Sequence, residues 1–218
     1  MKKVGDYWLP DADSYFEPIF KRGEGFQLDR LDTALSFVPP ERFGVAVDGG
    51  AHVGSWTRVL AGCFERVIAF EPAIDTYECL VKNTEAYPNV FTYNEALGDA
   101  DKLVTVMDDV TRAGNTGSRF VQPCASVSSV RTSAMTSLDA LKLDRLDFLK
   151  LDVEGAELLA LQGARLTLLE YRPVVLVESK KGMAERFGNV TGDCLRYLTA
   201  LGATQVATIK SDYIYTFT

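Results

Sequence analysis

Residues 45–54 read VAVDGGAHVG, an apolar run, an acid and then glycines, and this stretch decides the fold. Val45–Asp48 is short, continuous and mostly branched, the composition of a strand buried on both faces. Gly49 and Gly50 let the chain turn sharply, and the segment 54–63 then has the pattern of a helix. A strand, a glycine turn and a helix in that order put the turn at the carboxyl edge of a parallel sheet, where α/β folds bind ligands.

The same alternation continues outward. Arg66–Phe70 (RVIAF) predicts a second strand, 73–86 a helix and Val90–Asn94 a third strand. The interval 99–136 is irregular, with strand-like composition at Leu103–Met107 and Ala125–Arg131 and a loop around Gly114, Asn115, Gly117 and Ser118. Ser137–Leu143 reads as a short helix, Leu146–Val153 (LDFLKLDV) as a buried strand, and 156–170 as one or two helical turns around Gly163. Pro173–Glu178 is a further strand, and 191–201 a helix closed by Gly202. Two strands end the chain, 203–209 and 213–217, and their short connection Lys210-Ser211-Asp212 forces an antiparallel pair. Upstream, Leu28, Leu31, Leu35 and Val38 mark a helix stopped by Pro39 and Pro40, and residues 1–27 form an arm rich in aromatics. The expectation is an α/β fold: a mostly parallel seven-stranded sheet with a C-terminal antiparallel hairpin and helices on both faces. Residues 1–43 form the arm and helix, and 44–218 the main domain with an insertion at about 99–136.

Composition narrows the function. The 218 residues are 47% hydrophobic and 24% charged, as in an ordinary globular domain, and no apolar run approaches the roughly 18 residues of a membrane span. The first residues have neither the apolar core nor the cleavage site of a signal peptide, so a cytoplasmic location is expected. A net charge of −7 disfavours nucleic acid as a partner, because duplex binding draws on Lys and Arg at phosphates. Cys63, Cys79, Cys124 and Cys194 are scattered and His52 is the single histidine, which points to four buried thiols and no metal site of Cys and His.

The glycine loop reads G-x-A-x-x-G, and Glu71 follows Gly49 by 22 residues at the end of the second strand, placed to accept from both ribose hydroxyls of an adenosine ligand. Both features fit NAD and S-adenosylmethionine. Asp48 shifts the balance, since an acid beside the glycines repels a pyrophosphate and attracts an ammonium. Glu95 and Ala96, after the third strand, are placed to meet an adenine. At 150–157, KLDVEGAE carries three carboxylates within six residues at the end of a strand. Glu157 suits the first turn of a helix, whereas Asp152 and Glu154 fit a site facing cofactor and acceptor.

Together DGGAHVG (48–54), Phe70-Glu71-Pro72, SLDAL (137–141), LDFLKLDVEGAE (146–157), Leu161-x-Gly-Ala164 and RPVVLVE (172–178) resemble the FkbM-family methyltransferases over about residues 45–179. The resemblance implies a class I methyltransferase (Rossmann-like) fold and S-adenosylmethionine as methyl donor, with S-adenosylhomocysteine as product. It implies O-methylation of a sugar, polyketide or other small metabolite, so that the partner is a small-molecule or glycan acceptor. Asp48, Gly49, Gly50, Ala51 and Gly54 would line the methionyl end, Glu71 and Pro72 the ribose, Glu95 and Ala96 the adenine, and Asp152 and Glu154 would border the methyl group. His52 departs from the family, whose members more often carry Asn there.

A hydroxyl acceptor is a poor nucleophile and needs a base or a metal. Asp152, Glu154, Glu178 and His52 are candidate bases, Asp152 first. Asp152 with Glu154 offers an alternative as Mg²⁺ ligands, although no metal is predicted. The insertion at 99–136 is expected to face the acceptor, with Asn115, Ser118 and Glu178 as its contacts. Two other readings remain open: an NAD-dependent oxidoreductase, and a noncatalytic nucleoside-binding module.

Overall fold

The structure, a computed structural model, describes residues 1–124 and 131–217. The arm opens with an antiparallel hairpin, β1 (Lys2–Val4) and β2 (Tyr7–Leu9), followed by a short helix α1 (Glu17–Lys21). Val4, Leu9, Phe16 and Phe20 bury their side chains against Val53 and Cys79, so the arm is packed onto the domain that follows. Helix α2 (Leu28–Leu35) buries Leu31 and Ala34.

The domain then alternates: β3 (Val45–Gly49), α3 (Ser55–Cys63), β4 (Arg66–Phe70), α4 (Ile74–Thr84) and β5 (Val90–Tyr93). An insertion follows, with β6 (Glu95–Leu97), β7 (Lys102–Met107), β8 (Phe120–Pro123) and β9 (Thr132–Thr136). Alternation resumes with β10 (Phe148–Leu151), the helices α5 (Glu157–Gln162) and α6 (Arg165–Tyr171), β11 (Val174–Glu178), α7 (Asp193–Ala200), β12 (Ala203–Ile209) and β13 (Asp212–Phe217). The main sheet runs β12-β13-β11-β10-β3-β4-β5. β11, β10, β3, β4 and β5 are mutually parallel, and β13 enters antiparallel to both β11 and β12.

The period of two within each strand splits the core into two layers. Val45, Val47, Leu149, Leu151, Val175 and Val177 face α5, α6 and α7, while Ala46, Phe148, Val174 and Leu176 face α2 and α3. Gly163 separates α5 from α6 because the chain there touches its neighbour: a Cβ would stand 1.9 Å from the Gly98 carbonyl oxygen.

Three expectations change. The insertion is a second sheet, ordered β6-β9-β7-β8, whose first strand already begins at Glu95. Val104, Val106, Val121 and Met135 give it an apolar face that packs on Ala73 and Ala156, while the expected loop around Gly114–Ser118 joins β7 to β8 through two 3-10 turns. Leu103–Met107 falls within β7, while the strand expected at 125–131 lies, up to residue 130, outside the described residues. Ser137–Leu143 is a 3-10 turn at Leu138–Leu141, left through Lys142 in a left-handed conformation (φ 49°). Of the cysteines, only Cys79 and Cys194 are buried; Cys63 is exposed and Cys124 half-buried. No described helix is long and apolar enough to cross a membrane.

Candidate active site

The carboxyl ends of β3, β4, β10 and β11 open into one cavity of about 270 Å³, closed above by the arm and the insertion. Its floor is the β3–α3 turn, where Gly50 and Ala51 donate their N–H groups to the Phe70 carbonyl at 3.0 and 2.9 Å. Gly50 is obligatory there: its φ is +76°, and a Cβ would lie 1.9 Å from the Asp152 carbonyl oxygen. Lys150 supports the turn from beneath, donating to the Gly50 carbonyl at 2.7 Å.

Asp48 does not reach this cavity. Its side chain is fully buried, accepts from Thr57 Oγ1 at 2.7 Å and lies 3.0 Å from Lys150 Nζ. Asp48 and Lys150 are register partners on adjacent strands, so both side chains emerge on one face of the sheet. The Asp48 charge is therefore spent on a structural ion pair, and the inference that it selects a ligand by attracting an ammonium loses its physical basis. Gly49 and Gly54 also lie off the cavity wall, Gly49 packed on Leu151 and Leu97, and Gly54 on Leu80.

Glu71, Pro72, Glu95 and Ala96 do line the cavity. Glu71 Oε2 accepts the His52 N–H and Oε1 the Ala73 N–H, both at 2.9 Å, which fixes the carboxylate while leaving each oxygen a lone pair. Burial pushes its pKa up to about 7. Asn94 donates to the carbonyls of Glu71 and Pro72, holding the end of β4 in place.

The acidic group gathers at the ends of β10 and β11. Asp152, Glu154 and Glu178 bring carboxylate oxygens within 4.8 Å of one another. Glu154 reaches inward through a left-handed backbone (φ 50°), a strained conformation for a residue with a side chain. Lys180, which sequence reasoning did not single out, enters the group. Its Nζ donates to Glu154 Oε1 at 2.8 Å, contacts Glu178 Oε2 and lies 3.9 Å from Asp152 Oδ1. Burial opposes the Asp152 charge, but Lys180 and Lys150 outweigh it and hold this carboxyl below its usual range. Glu178 behaves oppositely: burial and the adjacent Asp152 push it up to about 10. Burial and Asp152 also raise Glu154.

His52 is committed elsewhere. It adopts a left-handed backbone (φ 52°), and its Nε2 lies 2.8 Å from Thr116 Oγ1, which itself donates to Asp13 Oδ2 at 2.5 Å. His52 Nε2 is thus the donor to Thr116, and burial lowers its pKa to about 4, which leaves the ring neutral. Asp13 also accepts the N–H groups of Phe16 and Thr116, so one buried chain of hydrogen bonds ties arm, glycine turn and insertion together. Of the expected acceptor contacts, Asn115 and Glu178 line the cavity. Ser118 does not: it is buried and donates to the Asn115 carbonyl at 2.8 Å.

Sequence reasoning passed over Lys150, Lys180, Asp13 and Thr116. A lone lysine inside the apolar run LDFLKL signals a buried partner, since Lys is almost never fully buried unpaired. Lys180, two residues past a strand-end glutamate, had a weaker signal of the same kind. The four arm aromatics Tyr15, Phe16, Phe20 and Phe26 form part of the cavity wall as well as covering the sheet.

A parallel sheet closed by one antiparallel strand next to its edge, with ligand-facing loops after β3, β4 and β10, is the class I methyltransferase architecture. Residues 48–204 match the methyltransferase FkbM domain, and the chain belongs to that family. Among solved structures, the chain is similar to methyltransferase FkbM from Methylobacillus flagellatus, with 20% identity and a TM-score of 0.51 over 81% of this chain and 44% of that one. It therefore spans less than half the length of that protein. It is also similar to precorrin 8w decarboxylase from Methanobacterium thermoautotrophicum, with 16% identity and a TM-score of 0.53 over all of both chains. At these identities both are likenesses of fold. No curated protein matches the sequence.

Proposed function

We propose that this family member transfers the methyl group of S-adenosylmethionine to a hydroxyl oxygen of a small metabolite, a sugar or polyketide among them. The observation that carries the reading is one cavity in which Glu71, at the end of β4, and the Asp152–Glu154–Glu178 group, at the ends of β10 and β11, face the same glycine turn. The fit to the methyl donor is chemical: a fixed carboxylate for a ribose diol, the Glu95–Ala96 backbone for an adenine edge, and the cavity-lining carboxylates Asp152 and Glu154 for an ammonium or hydroxyl donor. When bound, that cofactor supplies an electrophilic methyl on a sulfonium.

The chain's own residues do the rest. The turn at Gly50–Ala51 lets the backbone approach the ligand, Glu71 orients the ribose, and the arm aromatics exclude water from the cavity. Asp152 accepts the hydrogen bond of the acceptor hydroxyl. As the oxygen acquires positive charge in the transition state its proton becomes strongly acidic, so even a carboxylate held below its usual pKa suffices to take it. Positioning supplies much of the remaining acceleration. The insertion, through Asn115, and Glu178 supply acceptor contacts. The turn lacks the middle glycine of the dinucleotide pattern, which hinders close approach of a pyrophosphate. We place the reaction in the cytoplasm, in keeping with the unpaired thiols of Cys63, Cys79 and Cys194.

The test is calorimetric binding of S-adenosylhomocysteine and NAD to the purified chain, followed by an acceptor screen. Micromolar binding of the former alone supports the proposal. Binding of NAD alone replaces it with an oxidoreductase, and binding without turnover of any hydroxylated acceptor leaves a nucleoside-binding module.

A further inference from the structure

Three carboxylates meeting at one point is the usual preparation for a hard divalent cation, which takes oxygen ligands at about 2.0–2.6 Å. Among the described residues the group of Asp152, Glu154 and Glu178 has this character, and two of its members are deeply buried, with side chains only 5% exposed. Left alone, three such charges would repel strongly. The protein instead brings its own cation to the place. Lys180 Nζ donates to Glu154 Oε1 at 2.8 Å, contacts Glu178 Oε2 and stands 3.9 Å from Asp152 Oδ1, so that one ammonium faces all three side chains.

Its approach is built into the backbone. Lys180 follows β11 by two residues, and the Ser179 N–H between them donates to the Ser211 carbonyl at 2.8 Å, pinning the segment against the β12–β13 turn. Glu178 and Asp212 are register partners across β11 and β13, and Asp212 is in turn engaged by the buried Arg30. Lys180 is tethered and held, and it cannot leave with product as a metal ion can.

The ammonium also supplies the positive charge that the three side chains would otherwise lack. One oxygen each of Asp152 and Glu154 is buried without a hydrogen-bond partner, facing the ammonium's neighbourhood and not solvent.

We propose that Lys180 is the resident cation of the acceptor site, filling the space among Asp152, Glu154 and Glu178 that a divalent metal would take, so that these carboxylates are ordered for methyl transfer without a metal ion. This rests on the methyltransferase reading for its catalytic meaning, but the cation-binding part stands on the geometry alone. Lys180 is a positioning residue: it acts through the carboxylates it orders.

The experiment compares the full wild-type chain with Lys180→Met and Lys180→Arg, using Mn²⁺ as the probe in the absence of methyl donor and acceptor. The expected result is no Mn²⁺ binding by wild type up to about 1 mM, binding at least roughly tenfold tighter in Lys180→Met, and none regained in Lys180→Arg, where the positive charge stays. Binding of Mn²⁺ to wild type that Asp152→Asn removes overturns the proposal, and so does a folded Lys180→Met protein that binds Mn²⁺ no better than wild type. If Lys180→Met does not fold, the wild-type titration and turnover in EDTA decide alone: loss of activity in the chelator overturns it.

A pH profile separates positioning from a merely structural role. Lys180 faces Asp152, Glu154 and Glu178 directly; Lys150, Glu178 and the neutral His52 ring also face Asp152, Arg112 faces Glu154, and Asp212 faces Lys180 from β13. Removing the ammonium raises the carboxyl pKa values, so the acid limb of kcat/KM moves to higher pH by about one unit in Lys180→Met and stays in place in Lys180→Arg. Titration of S-adenosylhomocysteine into the same preparations keeps the two readings apart. Failure to bind it defeats the methyltransferase proposal and leaves the Mn²⁺ result untouched.

Discussion

Lys150 Nζ stands 3.0 Å from Asp48 Oδ1 and 2.7 Å from the Gly50 carbonyl, so a single buried ammonium neutralises the acid of β3 and props the glycine turn above it. Trp56 covers it from the side, with the ammonium 5.6 Å from the ring centroid. Breaking such a pair from one side leaves an uncompensated buried charge. Lys150→Met is expected to destabilise the protein by about 3–5 kcal/mol in urea unfolding, and adding Asp48→Leu to recover part of that loss. A cost below about 1 kcal/mol for the single change would show that the pair does not hold the turn.

Glu71 links cofactor binding to pH. Without ligand, burial holds it near pKa 7, well above an unfolded glutamate. Hydroxyl donors from a ribose favour the charged form and lower that value in the complex. Affinity for S-adenosylhomocysteine should therefore rise as pH increases from 6 to 8 and level off above, with proton release on binding that calorimetry in buffers of different ionisation enthalpy reads directly. Glu71→Gln should flatten the dependence and weaken binding. A pH-independent affinity would mean the carboxylate does not meet the ligand.

Asp152→Asn removes the proton acceptor while keeping the shape. Turnover should fall by at least roughly a hundredfold, with S-adenosylhomocysteine affinity held within a few-fold. In wild type, Lys180 and Lys150 hold this carboxyl below its usual range, so activity persists to mildly acidic pH and is lost as pH falls through the depressed pKa. Full activity in the Asn variant would remove Asp152 from the mechanism.

Asp13 closes the arm over the cavity. It accepts from Phe16 N at 2.8 Å, Thr116 N at 3.2 Å and Thr116 Oγ1 at 2.5 Å, and is itself fully buried. Asp13→Ala strands these donors, each at a cost of about 1–3 kcal/mol if left unpaired. Hydrogen exchange should accelerate in residues 1–27 before the central strands respond, because the tethers that remain, such as Asn83 on the Trp8 carbonyl, Trp56 on the Phe26 carbonyl and the Ser14 and Tyr15 N–H groups on the Gly114 carbonyl, hold the arm and not the sheet. Uniform loss of protection across β3 and β10 would instead mean that the arm and the sheet unfold as one unit.

The order and type of the sheet elements were legible because their causes are local. Val45–Asp48, RVIAF and PVVLVE are buried runs of strand length, and the glycine turn and the short link at 210–212 carry their own geometry. Within the insertion β7 and the loop after it were legible, but β6, β8 and β9 were not, because they are three to five residues long and are stabilised by pairing across the insertion rather than by their own pattern. Within the site, positions at strand ends were legible as positions. Glu71, Asp152, Glu154 and Glu178 all open onto the cavity, since the end of a parallel strand has one side facing ligand.

What the sequence could not decide was which side each polar group takes and what meets it. Asp48 and Asp152 look alike in the chain, an acid at the end of a buried strand, yet Lys150 claims the first within the sheet and the second is left facing the cavity. His52 looked like a titrating base and is held neutral by burial beside Thr116. These outcomes depend on partners 64 to 103 residues apart, and no local pattern encodes them. The sequence by itself determined the fold and the family, through periodicity, glycine spacing and the acidic motif. Only the tertiary structure decided the charge state of the site, because that state is set by burial and by which long-range neighbour reaches each carboxylate first.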